Sequence, residues 1–218
     1  MVCCTGYCAA ETQFNHKVAE RDLRRYRRSG ADATTRLMLA ELRRWPLGGR
    51  RLLDVGGGIG VISKELAGTG LASATIVEAS PAYLDVARRE VGSQYGTRPT
   101  QFIQGDFAVI ADSLPDADVV TLDRVVCCYP DAEALLVAAV ARTGQVLAFT
   151  YPRGRWYVRT MFALANFWLW LTGKKFRAFV HAPQRMAAVL ETAGLVRATQ
   201  RETLVWMLDL YQRSGARL

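Results

Sequence analysis

The chain has 218 residues, which suits one domain of ordinary to large size or one domain with a helical appendage. Half of the residues are hydrophobic and 22% are charged, so a large buried core is possible and a disordered chain is excluded. The 28 basic residues outnumber the 20 acidic ones and give a net charge of +8. This balance permits acidic partners, but net charge bears on solubility and association rather than on fold, so we interpret it as a solvated surface.

The cysteines and the N-terminal residues indicate a cytoplasmic protein. The opening sequence MVCCTGYCAAETQ lacks the basic start and the apolar run of a secretory signal. The cysteines are odd in number and fall in two tight clusters, which is not the pattern of a disulfide framework. We therefore expect reduced thiols. The five are Cys3, Cys4, Cys8, Cys127 and Cys128.

In chain order, two helical patterns come first, over residues 14–28 and 32–45, and a Pro-Leu-Gly-Gly break follows them. Short apolar runs then alternate with helical patterns, as expected of strands and helices. The predicted strands are RLLDV (51–55), SATIVEA (73–79), TQFIQGDF (100–107), ADVVTL (117–122), QVLAFTY (145–151), LVRATQRE (195–202) and TLVWMLDLY (203–211).

This alternation predicts an α/β fold with a seven-stranded, mostly parallel sheet covered by helices on both faces. The last two runs adjoin with little between them, so they predict an antiparallel hairpin at one edge. We assign residues 1–49 to a tail and N-terminal lid helices, and residues 50–218 to the main domain. An insert at about 153–180 forms a second candidate lid.

Residues 154–171 of this insert read GRWYVRTMFALANFWLWL. Arg155, Arg159 and Asn166 interrupt the apolar run, and a spanning helix needs about 20 mostly apolar residues, so we exclude a transmembrane span. Tryptophans beside arginines, with Lys174 and Lys175 following, leave peripheral contact with a membrane surface open. The alternative is a helix buried against the core or over a pocket.

The first chemical signal is the loop after the first predicted strand, which contains Asp54, Gly56, Gly58 and Gly60. Glycines allow a sharp turn and the close approach of a ligand at the start of a helix. A dinucleotide fingerprint would require glycine or alanine where Val61 stands. The loop therefore disfavours a nicotinamide enzyme and suits a compact nucleoside ligand without a pyrophosphate.

Acidic residues also follow the next three strands. Glu78 ends the second and can accept hydrogen bonds from ribose hydroxyls, and Asp106 follows the third, where it can accept from an adenine amine. Phe107 can cover the purine, and Asp123 follows the fourth strand. Because the carboxyl ends of parallel strands share one edge of the sheet, all these residues are predicted to meet at one rim.

Together these segments resemble the class I S-adenosylmethionine-dependent methyltransferases, over roughly residues 50–211. LLDVGGGIG is similar to the first motif of that family, and VEAS, GDF and ADVVTLDRVVCCYPDAEALL are similar to the next three. The resemblance implies that Asp54 and the glycines line the methionine portion of the cofactor. It further implies that Glu78, with Ala79, binds ribose, that Asp106 binds adenine, and that Asp123 lies near the sulfonium.

The layout is also similar to that of the magnesium-protoporphyrin O-methyltransferase group, through FTYPRGRW and FRAFVHAP around the insert. The chain departs from the family pattern after the fourth strand, where Cys127 and Cys128 replace residues that are frequently histidines. A histidine base at this position is therefore excluded. We place Cys127, Cys128 and Tyr129 beside Asp123 as candidate catalytic residues.

We expect methyl transfer to a small aromatic or lipophilic molecule, with O-methylation favoured, because the insert is rich in aromatic residues. Arginines can bind an acceptor's carboxylate. The candidate substrate residues are Tyr26, Arg124, Arg153, Trp156 and His181.

The alternatives are a thiol or metalloid methyltransferase that uses Cys127 and Cys128, an NAD(P)-dependent oxidoreductase, and a non-catalytic cofactor-binding protein. A nucleic-acid methyltransferase would use the net charge of +8, but residues 123–126 read DRVV and lack the Asn/Asp-Pro-Pro-aromatic motif common in amino-group methylation. We expect no metal site, no nucleic-acid partner, and a monomer or homodimer.

Overall fold

The structure is a computed structural model that describes residues 13–92 and 99–215. Cys3, Cys4 and Cys8 lie outside the described residues. The helices are α1 His16–Ser29, α2 Ala33–Leu42, α3 Val61–Glu65, α4 Pro81–Gly92, α5 Phe107–Ile110, α6 Ala132–Arg142, α7 Trp156–Leu171 and α8 Pro183–Thr192. The strands are β1 Arg51–Val55, β2 Ser73–Glu78, β3 Thr100–Gln104, β4 Ala117–Leu122, β5 Thr143–Pro152, β6 Leu195–Glu202 and β7 Trp206–Arg213.

The seven strands form one sheet in the order β3-β2-β1-β4-β5-β7-β6. Strands β1 to β5 pair in parallel, whereas β7 is antiparallel to both β5 and β6. The predicted fold class is confirmed, including the antiparallel hairpin at the edge. Strands β2 and β3 are added on one side of β1 and strands β4 and β5 on the other, so the switch point of the strand order lies between β1 and β4.

Each strand shares its side chains between two cores because successive residues point to opposite faces. On one face, Leu53 and Leu147 join a cluster with residues of α6 and α8. On the other face, Leu52 and Ala148 join a cluster that includes Leu39 of α2. Both faces of the sheet are thus buried, as the near-continuous apolar runs of its central strands predict.

The N-terminal helices begin where polar residues cap them. The side chain of Asn15 accepts hydrogen bonds from the backbone of Lys17 and Val18, and Asp32 accepts from the backbone of Thr34 and Thr35. These caps place the start of α1 two residues later than the pattern predicts.

Helix α7 occupies most of the predicted insert and packs loosely. Of its 16 residues only Val158 is buried. Within residues 13–92 and 99–215, no helix combines the length and the hydropathy that crossing a membrane requires.

Candidate functional site

The loop between β1 and α3 is shaped by glycines in a left-handed backbone conformation, which other residues adopt only with strain. Gly56, Gly58 and Gly60 all have positive φ, at 60°, 57° and 81°. A Cβ added to Gly56 would lie 2.4 Å from Cγ2 of Val125. The Gly56 N–H donates to the carbonyl of Val77 at 2.7 Å, which fastens the loop to the end of β2. The loop is thereby fixed between the turns that follow β2 and β4.

Asp54 lies at the centre of this arrangement. Its Oδ1 accepts a hydrogen bond of 2.8 Å from the hydroxyl of Thr121 on β4. Its Oδ2 is buried and has no hydrogen-bond partner among the described residues. Asp54 also lines a cavity at the rim of the sheet, so a cationic group there would find an unused acceptor.

Burial raises the pKa of Asp54 to about 7, and the charges of Asp123 and Glu78 add to the rise. The hydrogen bond from Thr121 opposes it. The pKa of Glu78 and that of Asp123 are also raised, again chiefly by burial. Three carboxyl groups whose charged forms are disfavoured by burial therefore surround one small region. A ligand that is positively charged or donates hydrogen bonds would stabilise their charged forms, so this region favours such a ligand.

Glu78 is already oriented by the backbone. Its Oε2 accepts from the N–H of Gly58 at 2.9 Å, and its Oε1 accepts from the N–H of Ser80 at 2.8 Å. The backbone N–H of Ala79 also faces this carboxylate. Each oxygen still has a lone pair for a ligand hydroxyl.

Asp106 caps α5 and accepts a 2.5 Å hydrogen bond from the hydroxyl of Tyr129. The predicted neighbour Phe107 behaves differently. Its ring is 2% exposed and packs in the core against α6, so the structure does not present it to the rim. The reason is local, because Phe107 is the first residue of α5 and this short helix places its apolar side on the sheet.

Asp123 receives hydrogen bonds from two hydroxyls, Thr35 of α2 at 2.5 Å and Thr150 of β5 at 2.8 Å. Its neighbour Arg124 adopts φ of 60°, the one positive value among the described non-glycine residues. The Arg124 guanidinium lies 2.6 Å from Asp32, beside the start of α2. The lid helices are thus bonded directly to the residues that follow β4.

A cavity of about 100 Å³ lies between the glycine loop and the N-terminal helices. Small-molecule sites commonly have volumes of about 300–1,000 Å³, so this cavity is smaller than a site that holds a nucleoside. The predicted substrate residues Tyr26 and Arg124 line it. Other lining residues are Asp22, Arg25, Asp32, Thr35, Asp54, Gly56, Gly57, Gly58, Ile59, Tyr83 and Asp123.

Helix α1 is held over the cavity by contacts with α4 and α3. The hydroxyl of Tyr83 donates to Asp22 at 2.6 Å, and the hydroxyl of Tyr26 donates to Glu65 at 2.9 Å. Arg27 pairs with Glu90 farther along α4. These bonds hold α1 over the cavity. That α1 acts as a lid, moving away to admit a ligand, stays a prediction.

The cysteine turn lies beside the rim but does not line the cavity in the described part of the chain. Cys127 is buried, and its sulfur is 3.9 Å from that of Cys128. The hydrogen bond to Cys128 and burial raise the pKa of Cys127 well above its usual value, so its thiol stays protonated. Burial and the bond to Asp106 likewise raise the pKa of Tyr129.

The remaining predicted substrate residues lie elsewhere. Nε2 of His181 is 2.9 Å from the carbonyl oxygen of Tyr129, so it braces the cysteine turn. Arg153 pairs with Glu202 at 2.8 Å and fixes the β6–β7 turn. Trp156 is 77% exposed at the start of α7. The structure therefore brings Tyr26 and Arg124 to the cavity and leaves these three outside it.

Sequence reasoning missed the hydroxyls that hold the carboxylates, on Thr35, Thr121 and Thr150. Thr35 is 88 residues from Asp123 in the chain, and no local pattern links them. Thr121 lies in the predicted fourth strand, opposite Asp54 of β1. This pairing follows from the strand order and register, which the sequence pattern does not supply.

Comparisons with known proteins agree with this architecture. Residues 52–148 match the model of a family described as a methyltransferase domain. No curated protein sequence matches the chain.

Solved structures that are similar include magnesium protoporphyrin IX methyltransferase from Synechocystis PCC 6803 with bound S-adenosylhomocysteine, with a TM-score of 0.75 and 18% identity over 94% of this chain and 98% of that one. An O-methyltransferase family protein from Burkholderia thailandensis has a TM-score of 0.66 and 20% identity over 94% of this chain and 64% of that one. A TehB-like methyltransferase from Corynebacterium glutamicum has a TM-score of 0.64 and 15% identity over 91% and 98%. At such identities these likenesses establish the fold.

The sheet order, the glycine loop and the matched family model define a methyltransferase domain. Residues 52–148 thus match a methyltransferase domain, and nearly the whole chain shares the fold of a solved S-adenosylmethionine-dependent methyltransferase, in agreement with the sequence motifs. The nicotinamide oxidoreductase alternative is thereby set aside. The likeness in layout to the magnesium-protoporphyrin group extends to the fold of nearly the whole chain.

The two glycines Gly56 and Gly58 provide a matched test of the loop, because their φ values are alike but only Gly56 faces a close neighbour. We expect Gly58→Ala to cost about 1–2 kcal/mol of backbone strain. Gly56→Ala should cost roughly 1–3 kcal/mol more, because its Cβ meets Val125. Urea denaturation measures both. Adding Val125→Ala should relieve the second cost, and equal losses for the two alanine variants would contradict this account.

The raised pKa of Asp54 predicts a pH dependence of stability. The folded state keeps the proton up to about pH 7, whereas the unfolded carboxyl releases it near 3.8. The free energy of unfolding should therefore fall as pH rises through this window and then level off. We expect the slope to be reduced in Asp54→Asn relative to the wild type. Parallel curves for the two proteins between these pH values would show that Asp54 is not the titrating group.

Proposed function

We propose that the protein transfers a methyl group from S-adenosylmethionine to a small aromatic or lipophilic molecule, with an oxygen acceptor favoured. The observation that carries the cofactor part is the buried, unbonded Oδ2 of Asp54 at a glycine-lined cavity. An α-ammonium group is the ligand that such an acceptor suits. Further acids follow β2, β3 and β4 at the same edge of the sheet.

The residues present fit this cofactor in chemical type. Asp54 would accept from the ammonium group, Glu78 from the ribose hydroxyls, and Asp106 from the exocyclic amine of adenine. The glycines give the backbone room to approach the methionine portion. Because the cavity is about 100 Å³, binding requires α1 and α2 to move away from the loop.

When bound, S-adenosylmethionine supplies a methyl group on a positively charged sulfur. This chain's own residues then have two tasks, which are to hold the acceptor in line and to exclude water. Thr35 and Thr150 fix the Asp123 carboxylate at the rim, and burial raises its pKa. Asp123 is accordingly positioned to take up the proton that a hydroxyl acceptor loses. A carboxylate acceptor would need no such base.

An aromatic or lipophilic acceptor is supported by the side chains around the second predicted lid. The rings of Phe14 and Phe176 meet edge to face with centroids 5.5 Å apart, so the two lid segments touch. The Phe179 backbone N–H donates to the carbonyl of Cys127 at 2.8 Å, which lays the same segment over the cysteine turn. Aromatic residues therefore lie along the path from the lids to the rim.

The predicted partners are proposed on the same basis: a small molecule rather than a nucleic acid, and a monomer or homodimer in the cytoplasm. The metalloid and thiol alternative has less support, because Cys127 is buried and its pKa is raised. Soft acceptors bind best to thiolates.

Calorimetric titration with S-adenosylhomocysteine tests the cofactor assignment. We expect micromolar binding, weakened at least about tenfold in Asp106→Asn, because a hydrogen bond to a charged group is worth about 1.5–3 kcal/mol. This variant keeps an oxygen to cap α5. Asp112→Asn, in the exposed turn after α5, is the matched control and should bind like the wild type.

NADH and NADPH are titrated in parallel. Tighter binding of either nicotinamide, or equal affinity of both aspartate variants for S-adenosylhomocysteine, would overturn the proposed site.

The cysteine variants test the acceptor class. We expect Cys127→Ser and Cys128→Ser each to keep most of the methylation of hydroxyl and carboxylate acceptors, because neither thiol lines the cavity. Formation of S-adenosylhomocysteine is measured against aromatic acids, quinols and thiols. A loss of activity in both variants, confined to thiol acceptors, would instead favour the alternative function.

A further inference from the structure

Helix α7 is apolar on its exposed side as well as on the side that carries the buried Val158, which is unusual for a helix on a water-facing surface. Such a helix normally turns its apolar stripe inward and its polar residues outward. In α7 the inward residues include Asn166, whose amide donates to the carbonyl of Ala178 at 2.7 Å and whose oxygen accepts from the Ala178 N–H at 2.9 Å. The outward residues are large and apolar: Trp156, Met161, Leu164, Phe167, Trp168, Trp170 and Leu171.

The exposed apolar surface continues onto the neighbouring hairpin. Tyr157 donates to the backbone carbonyl of Leu204 in the β6–β7 turn at 2.7 Å, and the Leu204 side chain is 75% exposed. Isolated apolar side chains on a surface are ordinary, but a contiguous set of this kind marks an interaction site. We call the exposed side of α7 together with Leu204 the α7 surface.

The charged residues at both ends of α7 are all basic. Arg155 and Arg159 lie near the start of the helix, and Lys174 and Lys175 follow its end; all four are exposed. The sequence has no acidic residue from 134 to 190, a stretch that holds eight basic ones. An apolar face with tryptophans and a basic border complements the interior and the headgroups of an anionic lipid bilayer.

From these observations we infer that the α7 surface docks the protein on anionic membrane lipids, with α7 parallel to the bilayer plane. A second copy of the chain is a poorer occupant, because a two-fold contact would bring the basic borders together. The inference does not rest on the proposed acceptor.

The docked orientation also bears on the candidate site. Helix α7 begins four residues after the carboxyl end of β5, at the same edge of the sheet as the glycine loop. A bilayer in contact with α7 would therefore lie beside the rim where Asp123 and the lid helices meet. Such a position suits an acceptor that partitions into lipid.

Vesicle flotation tests the docking surface, using the full chain with vesicles of phosphatidylcholine alone or mixed with phosphatidylglycerol. We expect the wild type to float with the anionic vesicles and to be released as salt is raised. The double variant Phe167→Glu/Trp168→Glu should reduce partitioning by at least about tenfold. Lys174→Glu/Lys175→Glu should do the same, since each basic residue near the surface adds to the attraction.

Matched controls separate the surface from general effects of charge. Val137→Glu places a charge on an exposed apolar residue of α6, and Arg88→Glu/Arg185→Glu changes the net charge as much as the lysine variant does. Both should float like the wild type. A far-UV circular dichroism spectrum and a thermal unfolding transition like those of the wild type show that each variant is folded.

Failure of the wild type to float, or equal flotation of the α7 variants and the controls, would overturn the inference. A dimer by light scattering that Phe167→Glu/Trp168→Glu dissociates, without recruitment to vesicles, would also overturn it and assign the surface to a second copy. Loss of S-adenosylhomocysteine binding in the wild type would count against the proposed function and leave the docking result standing.

Discussion

The close fit of the glycine loop between the ends of β2 and β4 is the constraint on which the site depends. Gly56 bonds to Val77 and leaves no space for a side chain beside Val125. This fit draws together residues from separate strands, so that Asp54, Glu78 and Asp123 surround one small region. If the loop were displaced, the Gly58 N–H would no longer orient Glu78, and the cavity would lose the glycines that line it.

Gathering several acids in a nearly dry region has an energetic cost, which the fold reduces with hydroxyl and amide donors. Thr121 bonds Asp54, two threonines bond Asp123, and backbone N–H groups bond Glu78. These bonds offset burial only in part, since the pKa values stay raised. The site is therefore prepared to bind groups that donate hydrogen bonds or carry positive charge, and the N-terminal helices close over it through bonds to the same residues.

Much of the fold follows from local patterns. The strands RLLDV, ADVVTL and LVRATQRE have the predicted bounds because each is an apolar or alternating run between strong turn signals. The hairpin of β6 and β7 follows from their short connection. The strand SATIVEA ends one residue early, at Glu78, whose carboxylate accepts a hydrogen bond from the backbone of Ser80 in the turn that follows. The second helix ends at Leu42, three residues before the predicted end. The apolar pattern continues to Trp45, but the backbone N–H groups of Arg44 and Trp45 bond three residues back instead of four.

The sequence by itself determined the class of fold and the rim: alternating runs specify a parallel sheet, and glycines and acids at strand ends specify where a ligand binds. Only the tertiary structure decided which neighbours complete the site. Thr35 reaches Asp123 and Arg124 reaches Asp32, because these outcomes depend on contacts between segments far apart in the chain. The same reason explains α7, whose composition shows that it is apolar but whose packing decides which of its apolar residues stay exposed.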